Sequence, residues 1–374
     1  MSVTRSAPFV EVRRWADADC PLFRAAWDAL AAAAGEPNPF YESWYLLPSL
    51  RALDPAGEVA LLCLHEAGGE LAGVMPLRLY PSYYGYPLKH WRNWVHDQCF
   101  CGQPLVVRGM ERVFWRAALE WCDANNSGGL FLHLLQMPAS GPLHDALKAE
   151  LAAQGRPAAT VLEERRALIA TQASPEDYLA ASLTGKKRKE LRRQYRRLAE
   201  IGTLEIVRCR SAEDIAAWTN AFLALEAAGW KGRAGSALAD DPAHAALFRE
   251  SLLEAARRGR VERLTLLLDH RPIAMLATFL TPPGAYAYKT AFDEAFARYS
   301  PGVLLQCEAM NLVADPAIDW IDSCAAPDHA MIDHIWRERR RMARHSIGIG
   351  GPLRRTLFRL LAWRENGHLP GGIS

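Results

Sequence analysis

Ala285 to Ala314 reads AYAYKTAFDEAFARYSPGVLLQCEAMNLVA, and this stretch decides the fold. The alternating aromatics Tyr286 and Tyr288 mark a strand from Ala285 to Ala291. A loop follows from Phe292 to Tyr299, and Ser300-Pro301-Gly302 then opens an apolar helix that runs to Ala314. A helix N-terminus reached in this way offers unpaired N–H groups and a positive partial charge, which suit an anion. Pro301 removes a donor that would otherwise be orphaned, and Gly302 lets a ligand approach the backbone closely. Arg298 adds a full positive charge. Ser-Pro-Gly is equally a good helix start with no ligand.

Outward from this stretch, the chain divides into two α/β halves. In the first, helical periodicity covers Leu22 to Ala34 and Glu42 to Leu53. Strands Val59 to His65 and Glu70 to Leu79 meet through a Gly-bearing hairpin loop. A helix from Glu111 to Asp123, a strand Gly129 to Leu135 and a helix Pro142 to Gln154 follow. The second half opens with a short helix, Pro175 to Ala181, and a long basic one, Gly185 to Ile201. Next come a strand Leu204 to Arg208, a helix Ala212 to Ala228 capped by Ser211, and a helix Pro242 to Arg258. The hairpin Arg263 to Thr281 precedes the opening stretch, and a strand Trp320 to Ser323 closes the unit. Both halves repeat one rhythm of helices, hairpin, strand, helix and strand.

The expected division is 1–165, 166–345 and a tail at 346–374. Pro352 to Trp363 in that tail alternates Leu357, Phe358, Leu360, Leu361 and Trp363 with Arg354, Arg355 and Arg359. Such a basic amphipathic helix either lies on an anionic membrane surface or packs back on the body.

At 374 residues, 50% hydrophobic and 23% charged, the chain is expected to fold as two globular domains. A formal charge of +2 gives no electrostatic footprint for DNA. Met1 to Val12 lacks the apolar core of a signal peptide, and no apolar run approaches membrane-helix length, so a cytoplasmic location is expected. The eight cysteines are scattered. Cys99 and Cys101, with His96 and Asp97, have no second ligand pair at finger spacing, and no metal is expected.

FDEAFARYSPGVLL (292–305), between a hairpin-plus-strand and a strand ending at Asp322, resembles the CelD/BcsL and BioF2-like group of GNAT acyltransferases. These are relatives of the Fem aminoacyl transferases. Four further segments are similar in the same order: NPFYESWYLLPSL (38–50), LTGKKRKELRRQYRRLAEIG (183–202), FLALEAAGWKGRAGSAL (222–238) and APDHAMIDHIWRERRRM (326–342). The resemblance implies an α/β (α+β) chain of two tandem GNAT-like domains, each a mixed, mostly antiparallel sheet flanked by helices. It also implies an acyl donor, acetyl-CoA or another acyl-CoA, held in the second domain by Thr290, Ala291, Arg298, Tyr299, Ser300, Pro301, Gly302 and Val303. The usual GNAT phosphate loop is Q/R-x-x-G-x-G/A; here only one of its glycines is present.

For catalysis the resemblance points to the strand before the donor turn. A backbone N–H or a splayed β-bulge there polarises the thioester, with Lys289 either a candidate for the oxyanion or a solvent-facing strand lysine. Regular alternation would place Tyr286, Tyr288 and Thr290 on one face and Lys289 on the other. Glu226, beside apolar Phe222, Leu223 and Leu225, is a candidate base, or simply a partner for Lys231 or Arg233. Asp293 is a second candidate, or only a cap, and Asp328-His329 a third, with His329 either a proton acceptor or a capping or core residue. Trp230, Lys231 and Arg233 read as an acceptor-binding loop, joined by Tyr286, Tyr288 and His329. The acceptor expected is a small amine or a saccharide. The basic helix suits phosphate: that of a coenzyme, a nucleotide sugar, a lipid headgroup or a tRNA. Two other functions fit these residues: an aminoacyl-tRNA-dependent transferase of the Fem type, and a non-catalytic scaffold in polysaccharide synthesis.

Overall fold

The structure is a computed structural model that describes residues 7–329, 331–367 and 370–373. The expectation for the first six residues lies outside these, as does Ala330 within the 326–342 likeness. The chain forms two compact units, Met1–Glu164 with Arg341–Ser374, and Arg165–Arg340. Residues 341–374 thus belong to the first unit rather than to a separate tail.

In chain order the first unit holds β1 (Phe9–Arg14), α1 (Trp15–Ala18), α2 (Pro21–Ala33), α3 (Ser43–Leu53), β2 (Ala60–His65), β3 (Leu71–Tyr80), β4 (His90–Asn93), β5 (Leu105–Val106), α4 (Glu111–Ala124), β6 (Phe131–Pro138) and α5 (Pro142–Ala153). The chain enters the second unit within β7 (Ala158–Ala170). There follow α6 (Pro175–Ser182), α7 (Gly185–Ala199), β8 (Leu204–Cys209), α8 (Ile215–Ala228), α9 (Trp230–Arg233), α10 (Pro242–Arg257), β9 (Val261–Leu268), β10 (Arg271–Thr281), β11 (Gly284–Phe292), α11 (Pro301–Ala309) and β12 (Trp320–Asp322). It returns within β13 (Glu338–Gly348) and ends in α12 (Pro352–Asn366).

Each unit has the same strand pattern. In the first, β1, β2, β3 and β4 are successively antiparallel, β4 pairs parallel with β6, and β13 adds antiparallel to β6. In the second, β8, β9, β10 and β11 are successively antiparallel, β11 pairs parallel with β12, and β7 adds antiparallel to β12. The shared rhythm in the sequence is therefore a repeat of sheet topology, and mixed, mostly antiparallel sheets flanked by helices are what the chain folds into.

Side-chain spacing explains how the helices attach. Phe23, Trp27 and Leu30 of α2 recur at i, i+4 and i+7, and all three are buried. In the second unit, Leu264, Leu266, Ala274, Leu276, Ala285 and Ala287 pack with Leu305 of α11 and with Trp336. The opposite sheet face stacks Phe279 on Tyr288 (4.5 Å between ring centroids) below α8 and α10, whose Phe222 and Phe248 meet at 4.8 Å. Each fully buried side chain of this kind contributes about 1.5–3 kcal/mol. Helix α8 starts three residues later than the sequence suggests, behind Asp214 in the left-handed region (φ 54°), and Ser211 does not cap it.

Candidate functional site

Strand β11 departs from regular geometry twice, both times beside the donor turn. Ala277 of β10 pairs with Lys289 while the next residue, Thr278, pairs with Ala287. Tyr288 is the extra residue of a β-bulge. The bulge overturns the expected alternation. Tyr288 remains on the α8/α10 face against Phe279, and Tyr286 stands opposite Phe279 in the register. Thr290 is instead carried to the α11 face, where its hydroxyl accepts from Nε2 of the buried Gln306 at 3.0 Å. Lys289 holds its ammonium 5.5 Å from the Tyr288 ring centroid, and Ala291 is buried. The second departure is a divergence. β12 pairs with β11 only at Gly284, Ala285 and Tyr286, so from Ala287 onward no strand lies on that edge of β11 among the described residues.

The donor turn follows this open stretch in the chain. Ser300 adopts the left-handed conformation (φ 53°, ψ 49°) and Pro301 takes the first helical position. The Ser300 hydroxyl does not cap the helix; it accepts from Gln194 Nε2 at 3.2 Å. The first-turn N–H groups of α11, at Gly302 and Val303, thus have no side-chain cap. Gly302 is needed for packing: a Cβ there would lie 3.2 Å from both Met331 Sδ and Phe292 Cδ1. Its small size therefore admits Met331. His329 Nδ1 accepts from Met331 N at 3.4 Å. Tyr299 is buried, and exposed Arg298 lies 4.7 Å from its ring centroid.

Helix α7 supplies charge to the same place. Thr184 caps it by accepting from Lys187 N, and Leu191 and Leu198 anchor it in the core. Lys186, Lys187, Lys189, Arg192, Arg193, Arg196 and Arg197 are all exposed. Gln194 donates to the Arg298 carbonyl as well as to Ser300. A cleft of about 360 Å³ results, lined by Arg193, Arg197, Arg298 and Tyr299 together with Glu190 and Glu200. Glu190 pairs with Arg193 at 2.5 Å, so the free balance of the cleft stays positive. A second groove of about 570 Å³ runs on between α7 and α11, past Leu191, Tyr195, Leu304 and Cys307.

The proposed acceptor loop reaches the donor turn through a residue that the sequence reading missed. Glu294 follows the donor strand, accepts from Trp230 N at 2.7 Å and pairs with Arg233 at 2.5 Å. The ion pair with Arg233, ahead of the backbone donor, holds the Glu294 carboxyl below its ordinary range. Glu226 is buried, and both of its oxygens are engaged. One pairs with Lys231 Nζ at 2.6 Å and the other accepts from Leu238 N at 2.8 Å. It fastens this loop, as the pairing alternative had it. Asp293 likewise caps the following turn by accepting from Ala295 N at 2.9 Å and pairs with Arg271. Trp230 remains 55% exposed above the fastened loop. Replacing Glu294 by alanine is expected to speed amide hydrogen exchange across 230–236 while exchange in β9 and β10 is unchanged. Unaltered exchange in the loop would show that Glu294 does not hold it.

Where β11 and β12 part lies a buried ionic cluster. Asp322, fully buried, pairs with Arg166 at 2.7 Å and with Arg340 at 3.0 Å, and Arg340 donates to the Tyr286 hydroxyl at 3.3 Å. Burial alone would raise the Asp322 pKa; Arg166 and then Arg340 outweigh it and hold the group ionised, below its ordinary range. The corresponding place in the first unit is sewn shut. There Asn93, at the end of β4, bonds both the carbonyl and the N–H of Leu135 in β6, and also the carbonyl of Gly102. In the second unit a strand pair that diverges after Tyr286 and Asp322 is combined with an uncapped helix end. No group of three or more His, Cys, Asp or Glu side chains arranged to hold a metal occurs among the described residues, where all eight cysteines are free thiols. No described helix is long and apolar enough to cross a membrane.

Residues 185–334 match the family model described as an acetyltransferase (GNAT) domain. No curated protein matches the chain by sequence. Among solved structures, FemX is similar with a TM-score of 0.56 at 10% identity, over 91% of this chain and 98% of that one. A conserved protein of unknown function from Bacteroides thetaiotaomicron is similar with a TM-score of 0.53 at 12% identity, over 87% and 97%. A tandem GNAT protein from the clavulanic acid biosynthesis pathway aligns with a TM-score of 0.43 at 18% identity, over 91% and 99%. At such identities the first two likenesses speak for the fold alone, and the family match speaks for the segment that holds the bulge, the turn and α7. The second unit carries a GNAT-type acetyltransferase domain, and the chain is an acyltransferase.

Proposed function

We propose that the second unit transfers an acyl group from an acyl-CoA thioester, acetyl-CoA or a longer homologue, to an amine, with a saccharide or exopolysaccharide precursor as the acceptor class. The observation that carries this reading is the uncapped N-terminus of α11, flanked by Arg193, Arg197 and Arg298, at the end of a bulged strand with one open edge. Diphosphate oxygens fit the helix end and the arginines. The thioester then extends along the open edge of β11, where a backbone N–H polarises its carbonyl. The amine nitrogen attacks the carbonyl carbon, the C–S bond breaks, and the departing thiolate takes up a proton. The amine must also lose a proton, and His329, two residues before the Met331 that packs against Gly302, is the candidate acceptor. Exposed Trp230 suits stacking on a sugar ring, and resemblance to the CelD/BcsL group supports a saccharide acceptor.

The exposed cationic face of α7 favours a second reading, in which the donor is an aminoacyl-tRNA. Calorimetric titration of the full chain with acetyl-CoA, longer acyl-CoAs and charged tRNA separates the two. For the first reading, Arg197→Glu with Arg298→Glu should weaken CoA binding by about tenfold or more, since each exchange reverses a charge facing phosphate. Circular dichroism should be unchanged, because both side chains are exposed. Binding of tRNA without CoA would overturn the proposal, and binding of neither would favour the scaffold.

A further inference from the structure

Helix α12 buries one face and leaves a second apolar row in water. Phe358 and Ala362 pack with Tyr83, Phe131 and Ala159 inside the first unit. On the other side, Leu353, Leu357 and Leu360 recur at i, i+4 and i+7 and are 84%, 57% and 57% exposed. Trp363 stands beside them, 52% exposed. The helix is attached to its unit without these four side chains, so their exposure is not a by-product of core packing.

The surroundings of the row say what covers it. Arg359 is exposed beside the row and Arg364 is exposed at its C-terminal end. The one acid of the helix, Glu365, is held by the Tyr83 hydroxyl at 2.7 Å. Tyr83 also anchors the loop that precedes β4, and that loop presents Tyr84 and Tyr86, both about two-thirds exposed, with exposed Lys89 after them. A leucine centre with Trp, Tyr and cations at its margin is the pattern of a helix lying in a lipid headgroup region. The core of a protein interface is depleted of such charge, whereas here Arg364 continues the leucine row itself.

We infer that α12, with Tyr84 and Tyr86, is a docking surface for an anionic lipid bilayer. The helix lies flat, inserts Leu353, Leu357, Leu360 and Trp363 among the acyl chains, and sets Arg359 and Arg364 against lipid phosphates. This does not depend on the identity of the acyl donor or acceptor.

The test is co-sedimentation of the full chain with phosphatidylcholine vesicles, with and without phosphatidylglycerol. The chain should pellet with the anionic vesicles and stay in solution with the neutral ones. Leu357→Asp with Leu360→Asp should lower the vesicle affinity by about tenfold or more, because two buried apolar anchors are lost. Arg359→Glu with Arg364→Glu should do the same through charge. All four residues face water, so the melting temperature should not change. Failure to pellet, equal pelleting with neutral vesicles, or unchanged affinity in the leucine variant overturns the inference. So does an oligomer in solution that the leucine variant dissolves, since the row would then cover a second copy.

Discussion

Alanine in place of Asp322 is expected to destabilise the second unit by about 3–5 kcal/mol, because it leaves guanidinium charge buried without its carboxylate. Arg166 has a side-chain exposure of 3% and cannot turn to water, whereas Arg340, at 13%, can do so in part. Against a typical domain stability of about 5–15 kcal/mol, such a loss brings the unit near unfolding. Urea denaturation of the full chain, followed by tryptophan fluorescence, reads it as an early transition. Arg166→Met combined with Asp322→Leu removes two charges together and should recover most of the loss, giving a large coupling in a double-mutant cycle. A single Asp322→Ala change costing under about 1 kcal/mol would show that the cluster is solvated and not structural.

The position of that cluster connects stability to chemistry. Tyr286 and Asp322 are the last paired residues before β11 and β12 separate. Past them no ladder bond constrains the open edge among the described residues, and the ion pairs stand at the root of the divergence. A gap meant to accept a flexible acyl chain needs rigid walls at its closed end. Arg340 also holds the Tyr286 hydroxyl, which extends the same clamp onto the bulged strand. A partial loss of the cluster should therefore reduce activity before it unfolds the domain.

What the sequence disclosed follows from where pattern and physics coincide. The hairpin β9–β10, the strand β11, the turn and α11 were legible because apolar periodicity and turn residues agree there. Strands β7 and β13 were not. β7 carries Glu163, Glu164, Arg165 and Arg166 in a row, and β13 opens Glu338-Arg339-Arg340-Arg341, which reads as a solvated basic run. Tertiary partners explain both: Arg341 pairs with Glu163 at 2.7 Å, and Arg166 and Arg340 share Asp322. Charge that is neutralised across strands leaves no signal in a linear pattern. For the same reason the single-residue bulge at Tyr288, which decides where Thr290 and Lys289 point, could not be read from alternation. The candidate carboxylates Glu226 and Asp293 were found as residues, but their tethering roles depend on Lys231, Leu238 and Arg271, which only the fold brings to them.

The stability of the first unit should fall steeply between pH 6.5 and about 4.5, before most carboxylates titrate. His133 and His345 lie on neighbouring strands and are 3% and 0% exposed. Burial, reinforced by His90, Arg92 and Arg344, pushes His133 down to about 3. Burial with His144 nearby, against the opposing pull of Glu163, pushes His345 down to about 3. Each ring is held through a neutral partner, His133 Nδ1 with the Ser346 hydroxyl at 3.0 Å and His345 Nδ1 with the Thr160 hydroxyl at 3.1 Å. Both folded-state values are depressed, so the unfolded chain takes up protons first as pH falls below about 6.5. Stability is therefore full above that value and declines through the window down to the folded pKa values. Two such groups imply a slope near 2.7 kcal/mol per pH unit, or about 5 kcal/mol lost by pH 4.5. Urea midpoints taken at half-unit steps would trace this slope, and His133→Asn or His345→Asn should each roughly halve it whatever they do to stability at pH 7. A midpoint that stays level from pH 7 to pH 5 would mean that both imidazoles reach solvent or a charged partner and that the buried histidines do not govern acid unfolding.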